Sequence, residues 1–227
     1  YVLVTQQKLA LWQSLICSTL FSVMYSATPE LAHEVYSLPE NSFGKINQTG
    51  IRLESAFNSN APTPTEMKKF IFEVWAILDG DEDFTFLGMG FRANNKFWTA
   101  AHNILCSGQY FITNRGRVMV PVGLNTNIDS VDLVELVSFT AATVLGIKSL
   151  DFGYFTDNKP VTVFTYHDGT LHYTTDIPVH PRDVGSFSTL FTSTCTRPGD
   201  SGLPVLQEKR VVAIHAGADE EKCKNFH

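Results

Sequence analysis

The sequence predicts an all-β protein in which two sets of antiparallel strands form small barrels or sandwiches behind an N-terminal helical extension. After Lys69 the chain changes to short runs of β-branched and aromatic residues that are separated by turns, and these runs fall into two sets. The composition suits a well-packed core, since 44% of the 227 residues are hydrophobic, 17 are Phe, and only 18% are charged.

Two turns organise the first set of strands. Asp79-Gly80-Asp81 separates two apolar runs that fit a hairpin, and Asn94-Asn95 turns the chain into a run that ends just before His102. We therefore expect His102 at the end of a strand. The strands predicted in this set are 70–78, 84–91, 96–100, 109–113 and 117–122.

The second set contains the strongest hairpin signal of the chain. Asp168-Gly169 lies between two alternating runs, and this dipeptide is typical of a two-residue hairpin turn. The set begins near Thr143, and its predicted strands are 160–166, 170–175, 187–193, 202–206 and 210–214. The two sets define predicted domains at 67–142 and 143–227.

Residues 1–66 differ from the rest and are predicted to form a helical extension and a linker. Leu9 to Tyr25 is mostly apolar, but Ser14, Ser18 and Ser22 recur every four residues, which places them on one stripe of a helix. We interpret this helix as packed on the protein, with membrane association as the alternative, because its length is near the lower limit for a bilayer span. A second short helix is predicted at 29–36, and 38–65 has the composition of a linker.

Charge and cysteine usage narrow the functional classes. A net charge of −6 argues against nucleic-acid binding driven by overall charge, so no nucleic-acid partner is expected. None of the cysteine pairs has the Cys-x-x-Cys spacing of a zinc ribbon. We interpret the four cysteines as free thiols in a reducing compartment; they are Cys17, Cys106, Cys195 and Cys223.

A serine in a glycine turn and an upstream histidine carry the predicted chemistry. In Gly199-Asp200-Ser201-Gly202 the glycines let backbone N–H groups converge, as an oxyanion hole requires. Serine is a weak nucleophile until a base accepts its proton, and His102 in Thr-Ala-Ala-His is the candidate base. This chemistry requires no metal or cofactor.

An acid must hold the imidazole in the right tautomer, and three carboxylates lie between His102 and Ser201 in a suitable stretch. Asp132 is preferred because it leads an apolar strand that would bury the carboxylate. Asp129 is the second candidate. Glu135 is the third, because the alternation of side chains along a strand would place it on the opposite face from Leu136.

The chain order His, Asp, Ser and two further residues resemble the chymotrypsin-like proteases of positive-strand RNA viruses. Thr196 stands five residues before Ser201, and His215 stands fourteen residues after it, in a strand that ends in Gly217. Among those families the chain is similar to the sobemovirus and polerovirus polyprotein proteases, which keep Ser as the nucleophile. The resemblance covers roughly residues 70–218.

This resemblance implies two six-stranded barrels of the chymotrypsin type and a serine endopeptidase that processes a viral polyprotein. It implies that the N–H groups of Gly199 and Ser201 bind the oxyanion and that Thr196 and His215 form a pocket for Glu or Gln. Ala216 and Gly217 would pair with the extended substrate. The implied location is the host cytoplasm, with a membrane-associated replication complex if the N-terminal segment binds membrane.

Two other functions stay open at this point. One is a cellular serine protease of the trypsin-like or quality-control type, and the other is an inactive protease fold that serves as a binding scaffold. Because no Ile-Val-Gly-Gly activation sequence precedes the domain, Asp200 is interpreted as a loop acid that caps local backbone N–H groups.

Overall fold

A computed structural model of the chain describes residues 36–37, 62–104, 106–114, 116, 118–125, 132–184, 187–192, 199–219 and 224–226. These belong to one compact unit, Tyr36–His227. The predicted helix at about 8–25, all but the last residue of the predicted helix at 29–36, and most of the predicted linker lie outside the described residues. No helix within the described ranges is both long enough and apolar enough to cross a membrane.

The described part of the chain is built from strands, which confirms the all-β class. The strands that belong to the first barrel or lie before it are β1 (Tyr36–Ser37), β2 (Thr63–Thr65), β3 (Ile71–Leu78), β4 (Phe84–Ala93), β5 (Lys96–Ala100), β6 (Gly108–Thr113), β7 (Val118–Asn125) and β8 (Leu133–Val137). The remaining strands are β9 (Val161–His167), β10 (Thr170–Asp176), β11 (Val179–Val184), β12 (Phe187–Thr192), β13 (Pro204–Gln207), β14 (Arg210–Ile214), β15 (Gly217–Asp219) and β16 (Lys224–Phe226).

Strands β3 to β8 close into a six-stranded barrel, called the first barrel below. The sheet order is β7-β6-β3-β4-β5-β8, and β8 pairs back onto β7 to complete the ring. The β3–β4 hairpin follows the turn at Gly80, and β5 begins after Asn94 and Asn95, which both have positive φ. Both turns are where the sequence predicts them, and β5 delivers His102 at its end.

The second half of the fold consists of two sheets. One has the order β14-β13-β9-β10-β2, and the other has the order β11-β12-β16-β15. The β9–β10 hairpin turns at Asp168-Gly169, with φ of 50° and 72°, as the type I′ signal predicts. Strands β14 and β15 stand at the ends of the strand orders of their sheets, although Val211 in β14 also exchanges backbone hydrogen bonds with Asp151 and Gly153.

Two local predictions are corrected by the structure. Thr63–Thr65 lies in the predicted linker but forms strand β2, where Pro64 is tolerated because β2 is an edge strand that needs no further donor. Tyr36, predicted to end a helix, lies in β1. Thr143, near which the second set of strands is predicted to begin, lies in the one-turn helix α1 (Ala141–Val144), which also contains the predicted domain boundary.

The first barrel and the second half share one apolar cluster. Met89, Phe91 and Trp98 from β4 and β5 pack in the same buried cluster as Phe164 from β9 and Leu203 from the segment before β13. Burying these side chains removes large apolar surfaces from water, at roughly 25 cal/mol per Å². The cluster therefore fixes the first barrel against the second half at the place where the candidate site forms.

Candidate active site

His102 and Asp132 are in direct contact. His102 lies in one turn of 3-10 helix, Ala101–Ile104, directly after β5, and Asp132 lies directly before β8. The Asp132 carboxylate accepts from both nitrogens that His102 offers on that side: Oδ2 is 2.7 Å from Nδ1, and Oδ1 is 3.0 Å from the backbone nitrogen. The pair holds the ring with a proton on Nδ1 and leaves Nε2 to accept a proton.

The backbone around Asp132 also fixes this contact. The N–H of Ala101 donates to the carbonyl of Asp132 at 2.9 Å, and Ala100 pairs with Leu133 in the β5–β8 ladder. The end of β5 therefore lies beside the start of β8. The imidazole follows the first of these strands, and the carboxylate precedes the second. The side chains of His102 and Asp132 keep 22% and 24% of their surface exposed, so the pair lies at the surface of the barrel end.

Ser201 sits in a tight turn whose conformation requires glycine on both sides. Gly199 and Gly202 have φ of 95° and 90°, in the left-handed region that residues with a Cβ rarely adopt. A Cβ on Gly202 would also collide with the carbonyl oxygen of Met89 in β4. The turn therefore lies directly against the first barrel, with Ser201 itself only 3% exposed.

Two donors from the first barrel hold the carbonyl of Ser201. The backbone N–H of Met89 donates to it at 3.0 Å, and the side-chain amide of Asn103 donates to it at 2.9 Å. Asn103 directly follows His102. The segment that carries the imidazole and the turn that carries the hydroxyl are thus joined by hydrogen bonds, although the two residues are far apart in sequence.

Asp200 anchors the same turn to the second half. It is fully buried, and its carboxylate accepts from the hydroxyl of Thr165 at 2.5 Å and from the backbone N–H of Tyr166 at 2.6 Å, both in β9. The sequence indicates that Asp200 caps local backbone N–H groups, and these two contacts add a hydroxyl and an N–H from a distant strand. The contact is non-local because the turn packs its acid side chain inward onto β9.

His215 follows β14 and is hydrogen-bonded to the serine turn through its backbone. Its carbonyl accepts from the N–H of Gly202 at 2.9 Å, and its N–H donates to the carbonyl of Leu203 at 2.8 Å. The residue is fully buried, and Ala216 beside it is half-buried. Gly217 begins the edge strand β15. Thr196, the predicted partner of His215, lies outside the described residues.

Glu135, the third acid weighed from sequence, does not occupy the position of Asp132. Glu135 lies in β8, and its carboxylate pairs with Lys96 at 3.0 Å and accepts from Asn125 at 2.9 Å. Those partners lie in β5 and β7, so Glu135 is held by neighbouring strands of the barrel. Asp129 lies outside the described residues.

A buried carboxyl group that sequence reasoning missed lies behind the serine turn. Glu73 in β3 is 6% exposed and accepts a hydrogen bond from the Trp75 indole at 2.8 Å and another from the Tyr166 hydroxyl. Burial raises the pKa of Glu73, more than these two hydrogen bonds lower it. Burial and the neighbouring carboxyl group likewise raise the pKa of Tyr166. Only the unusual acid within an apolar strand signals this pair in the sequence.

Among the described residues, no group of three or more His, Cys, Asp or Glu side chains is arranged to hold a metal ion. The thiol of Cys106 is free and exposed. The other three cysteines lie outside the described residues, so the prediction of free thiols stays a prediction for them.

Comparison with known proteins finds similarity in structure. No protein-family model matches the sequence, and no curated protein is significantly similar to it. The serine protease domain of the Sesbania mosaic virus polyprotein matches with a TM-score of 0.57 and 16% identity, covering 73% of this chain and 91% of that one. A human pathogenic astrovirus serine protease matches with a TM-score of 0.52 and 21% identity, covering 74% and 93%.

A bacterial protein shares the same architecture. The Rv3671c protease of M. tuberculosis in its active form matches with a TM-score of 0.54 and 15% identity, covering 75% of this chain and 86% of that one. The chain has the chymotrypsin-like fold. At these identities the similarity establishes the fold, and the chemistry has to be argued from the residues of this chain.

Proposed function

We propose that the protein is a serine endopeptidase that processes a viral polyprotein and cleaves after Glu or Gln. The observation that carries the proposal is that the Asp132 carboxylate accepts two hydrogen bonds from His102. These bonds form where the Ser201 turn is held against the same barrel. In a chymotrypsin-like fold this is the junction at which a nucleophile, a base and an orienting acid meet.

The proposed chemistry proceeds through an acyl-enzyme. His102 accepts the Ser201 proton at Nε2 while Oγ bonds to the peptide carbonyl carbon, and Asp132 stabilises the imidazolium that forms. The backbone N–H groups of Gly199 and Ser201 stabilise the oxyanion, and one such donor is typically worth about 10²–10³ in turnover. The imidazolium then protonates the leaving amine, and water hydrolyses the ester by the same route in reverse.

Replacement of the nucleophile tests this mechanism. We expect Ser201→Ala to abolish both peptide cleavage and labelling by a fluorophosphonate probe, because both require an activated hydroxyl. Its melting temperature should stay within a few degrees of the unmodified chain, since only a small polar group is lost. Labelling of the unmodified chain at a residue other than Ser201, or the absence of any labelling, would reject the assignment.

The proposed specificity for Glu or Gln comes from Thr196 and His215. A pocket of buried polar donors rejects side chains that leave those donors unpaired, by up to about 10⁴-fold. Because His215 is fully buried, a substrate side chain reaches the imidazole only when the residues that cover it move aside. The part of β14 beyond Val211, together with β15, would pair with the extended substrate on either side of Ala216.

Cleavage of a peptide library tests the pocket. We expect the unmodified enzyme to prefer Glu or Gln before the scissile bond and His215→Ala to lower that preference by about 10-fold or more, because a buried donor is lost. The rate of fluorophosphonate labelling serves as the control, since it reports the nucleophile alone. Equal cleavage after Glu, Gln, Lys and Leu by the unmodified enzyme would remove the pocket assignment. That result would favour a cellular quality-control protease.

The proposed substrate and location follow from the same hypothesis. Two of the similar structures belong to virus proteases, and one of them is a domain of a polyprotein. We infer that the substrate here is a viral polyprotein in the cytoplasm of the host cell. Membrane association through residues 9–25 is the alternative to a helix packed on the protein, and co-sedimentation of the full chain with vesicles, compared with a chain lacking those residues, tests it.

A further inference from the structure

We propose that Asn103 is a positioning residue that fixes the nucleophile Ser201 relative to the base His102, and that Gly88 is required because it leaves room for Asn103. This inference rests on the proposed serine-protease function, for which it adds a residue that touches neither substrate nor the reacting atoms. The observations that carry it are the two hydrogen bonds of the Asn103 amide and its contact with Gly88.

The Asn103 side chain is buried at the junction between the histidine segment and the serine turn. Its exposed fraction is 4%, and its Nδ2 lies 2.9 Å from the carbonyl oxygen of Ser201 and 3.1 Å from the hydroxyl of Thr99. Ser201 contributes the carbonyl and the proposed nucleophilic hydroxyl from one residue. Holding the carbonyl therefore limits how far the hydroxyl can shift from His102.

The chemistry of the neighbours fixes which end of the amide faces the turn. The Ser201 carbonyl can only accept, and the hydroxyl of Thr99 uses its proton to donate to the carbonyl of Met89 at 2.7 Å. Both neighbours of the amide thus need a donor, and only the NH₂ group supplies two. An aspartate of nearly the same shape would face these oxygens with acceptors alone.

Gly88 leaves the space that this side chain fills. A Cβ at position 88 would lie 2.5 Å from Nδ2 and 2.8 Å from Cγ of Asn103, closer than real Cβ contacts come. The nearest atoms that such a Cβ would meet all belong to the Asn103 side chain. The glycine and the asparagine are therefore expected to act as one unit, so that a side chain at 88 displaces the amide.

The hydrogen bonds of the Asn103 side chain are explained better by a positioning role than by a contribution to stability. Asn103 Oδ1 is buried and has no hydrogen-bond partner within the described part of the chain. A buried acceptor left unpaired is unfavourable, and an apolar side chain of similar size would avoid that penalty. The two donated bonds, on the residue next to the proposed base, account for an amide at this position.

Single substitutions at position 103 test the proposal through kcat, KM and melting temperature. We expect Asn103→Ala and Asn103→Asp each to lower kcat by about 10- to 100-fold with KM changed less than about 3-fold, because misplacing reacting groups by 1 Å can cost about 10²-fold in rate. Asn103→Asp keeps the size of the side chain, so it remains informative if the alanine variant does not fold.

Asn114→Ala is the matched control. Like the Asn103 amide, the Asn114 amide donates two hydrogen bonds, in this case both to backbone carbonyls, those of Lys68 and Ile71. Loss of its bonds should lower the melting temperature without changing kcat. If the role of Asn103 were purely structural, its variants would likewise have a lower melting temperature and an unchanged kcat. The folded fraction of each variant would then react with fluorophosphonate as the unmodified chain does.

A double-mutant cycle with Gly88→Ala tests the coupling. Gly88→Ala alone should lower kcat about as much as Asn103→Ala, while Gly88→Ala in the Asn103→Ala background should lower it less than about 3-fold further. Gly88 has a φ of 154°, which residues with a Cβ rarely adopt, and this strain is present in both backgrounds and cancels in the comparison.

The outcomes separate this inference from the proposed function. If the unmodified chain cleaves peptide but both Asn103 variants keep kcat within about 2-fold, or if the effects at 88 and 103 simply multiply, the positioning role is overturned and the protease function stands. If the unmodified chain neither cleaves peptide nor reacts with fluorophosphonate, the proposed function is overturned and the positioning role with it.

Discussion

Asp200 illustrates how a single buried side chain can set the geometry of a turn. Its two carboxylate oxygens have separate partners in β9, the hydroxyl of Thr165 and the N–H of Tyr166. Hydrogen bonds to a charged acceptor are stronger than neutral ones, and a buried N–H left unpaired is costly. The residue before the proposed nucleophile therefore fixes the turn from the second half, while Asn103 fixes it from the first barrel.

Substitutions of Asp200 should separate the loss of hydrogen bonds from the loss of charge. In Asp200→Asn the amide oxygen can accept from Tyr166 and the NH₂ group can donate to the hydroxyl of Thr165, so both contacts survive. Asp200→Ala leaves a buried N–H unpaired and should lower the free energy of unfolding by about 1–3 kcal/mol. Urea unfolding measures both variants. Equal destabilisation by Asn and Ala would show that charge, and not hydrogen bonding, holds the turn.

At the scale of elements, the strands bounded by strong turns could be predicted from the sequence. The site residues that lie at the ends of these strands could be placed for the same reason. The turns at Gly80, Asn94-Asn95 and Asp168-Gly169 impose a local conformation whatever surrounds them, and β3 to β5, β9 and β10 follow from them. The position of His102 at the end of β5 follows for the same reason. The contact between Asp132 and His102 could be proposed from the order of residues and from an apolar strand.

Elements that depend on distant partners could not be predicted. Strand β2 contains Pro64 in a Pro- and Thr-rich stretch, and its structure comes from pairing with β10, far along the chain. The same limit applies to the site. The role of Asn103 depends on its contact with Ser201, and the role of Asp200 depends on its contact with Tyr166. No spacing in the sequence predicts either contact.

At the scale of the whole molecule, the first barrel and the second half meet through a polar contact as well as through the shared apolar cluster. Glu73 belongs to the first barrel, and Tyr166, which donates to it, belongs to the second half. The centre of the Tyr166 ring also lies 6.2 Å from that of Phe86, and a Cβ added to Gly199 would lie 3.0 Å from the Phe86 ring. The protonation state of Glu73 thus bears on the interface against which the serine turn is packed.

Replacement of Glu73 by Gln should flatten the pH dependence of stability. Burial raises the pKa of Glu73 above its ordinary value of 4.5, so the folded protein keeps this proton at pH values where the unfolded chain has lost it. The stabilisation is complete below about pH 4.5 and is lost as the pH rises through the raised pKa, with a slope of up to about 1.4 kcal/mol per pH unit.

Glutamine reproduces the protonated acid, since its oxygen can accept from Trp75 while its NH₂ group donates to Tyr166. Urea unfolding between pH 4.5 and 8 should therefore show a shallower decline for Glu73→Gln than for the unmodified chain. Glu82→Gln, at an exposed position in the β3–β4 turn, should leave the decline unchanged. Parallel curves for all three proteins would mean that Glu73 does not retain its proton on folding. Glu73 would then be ionised where it accepts the hydrogen bond from Tyr166 between the first barrel and the second half.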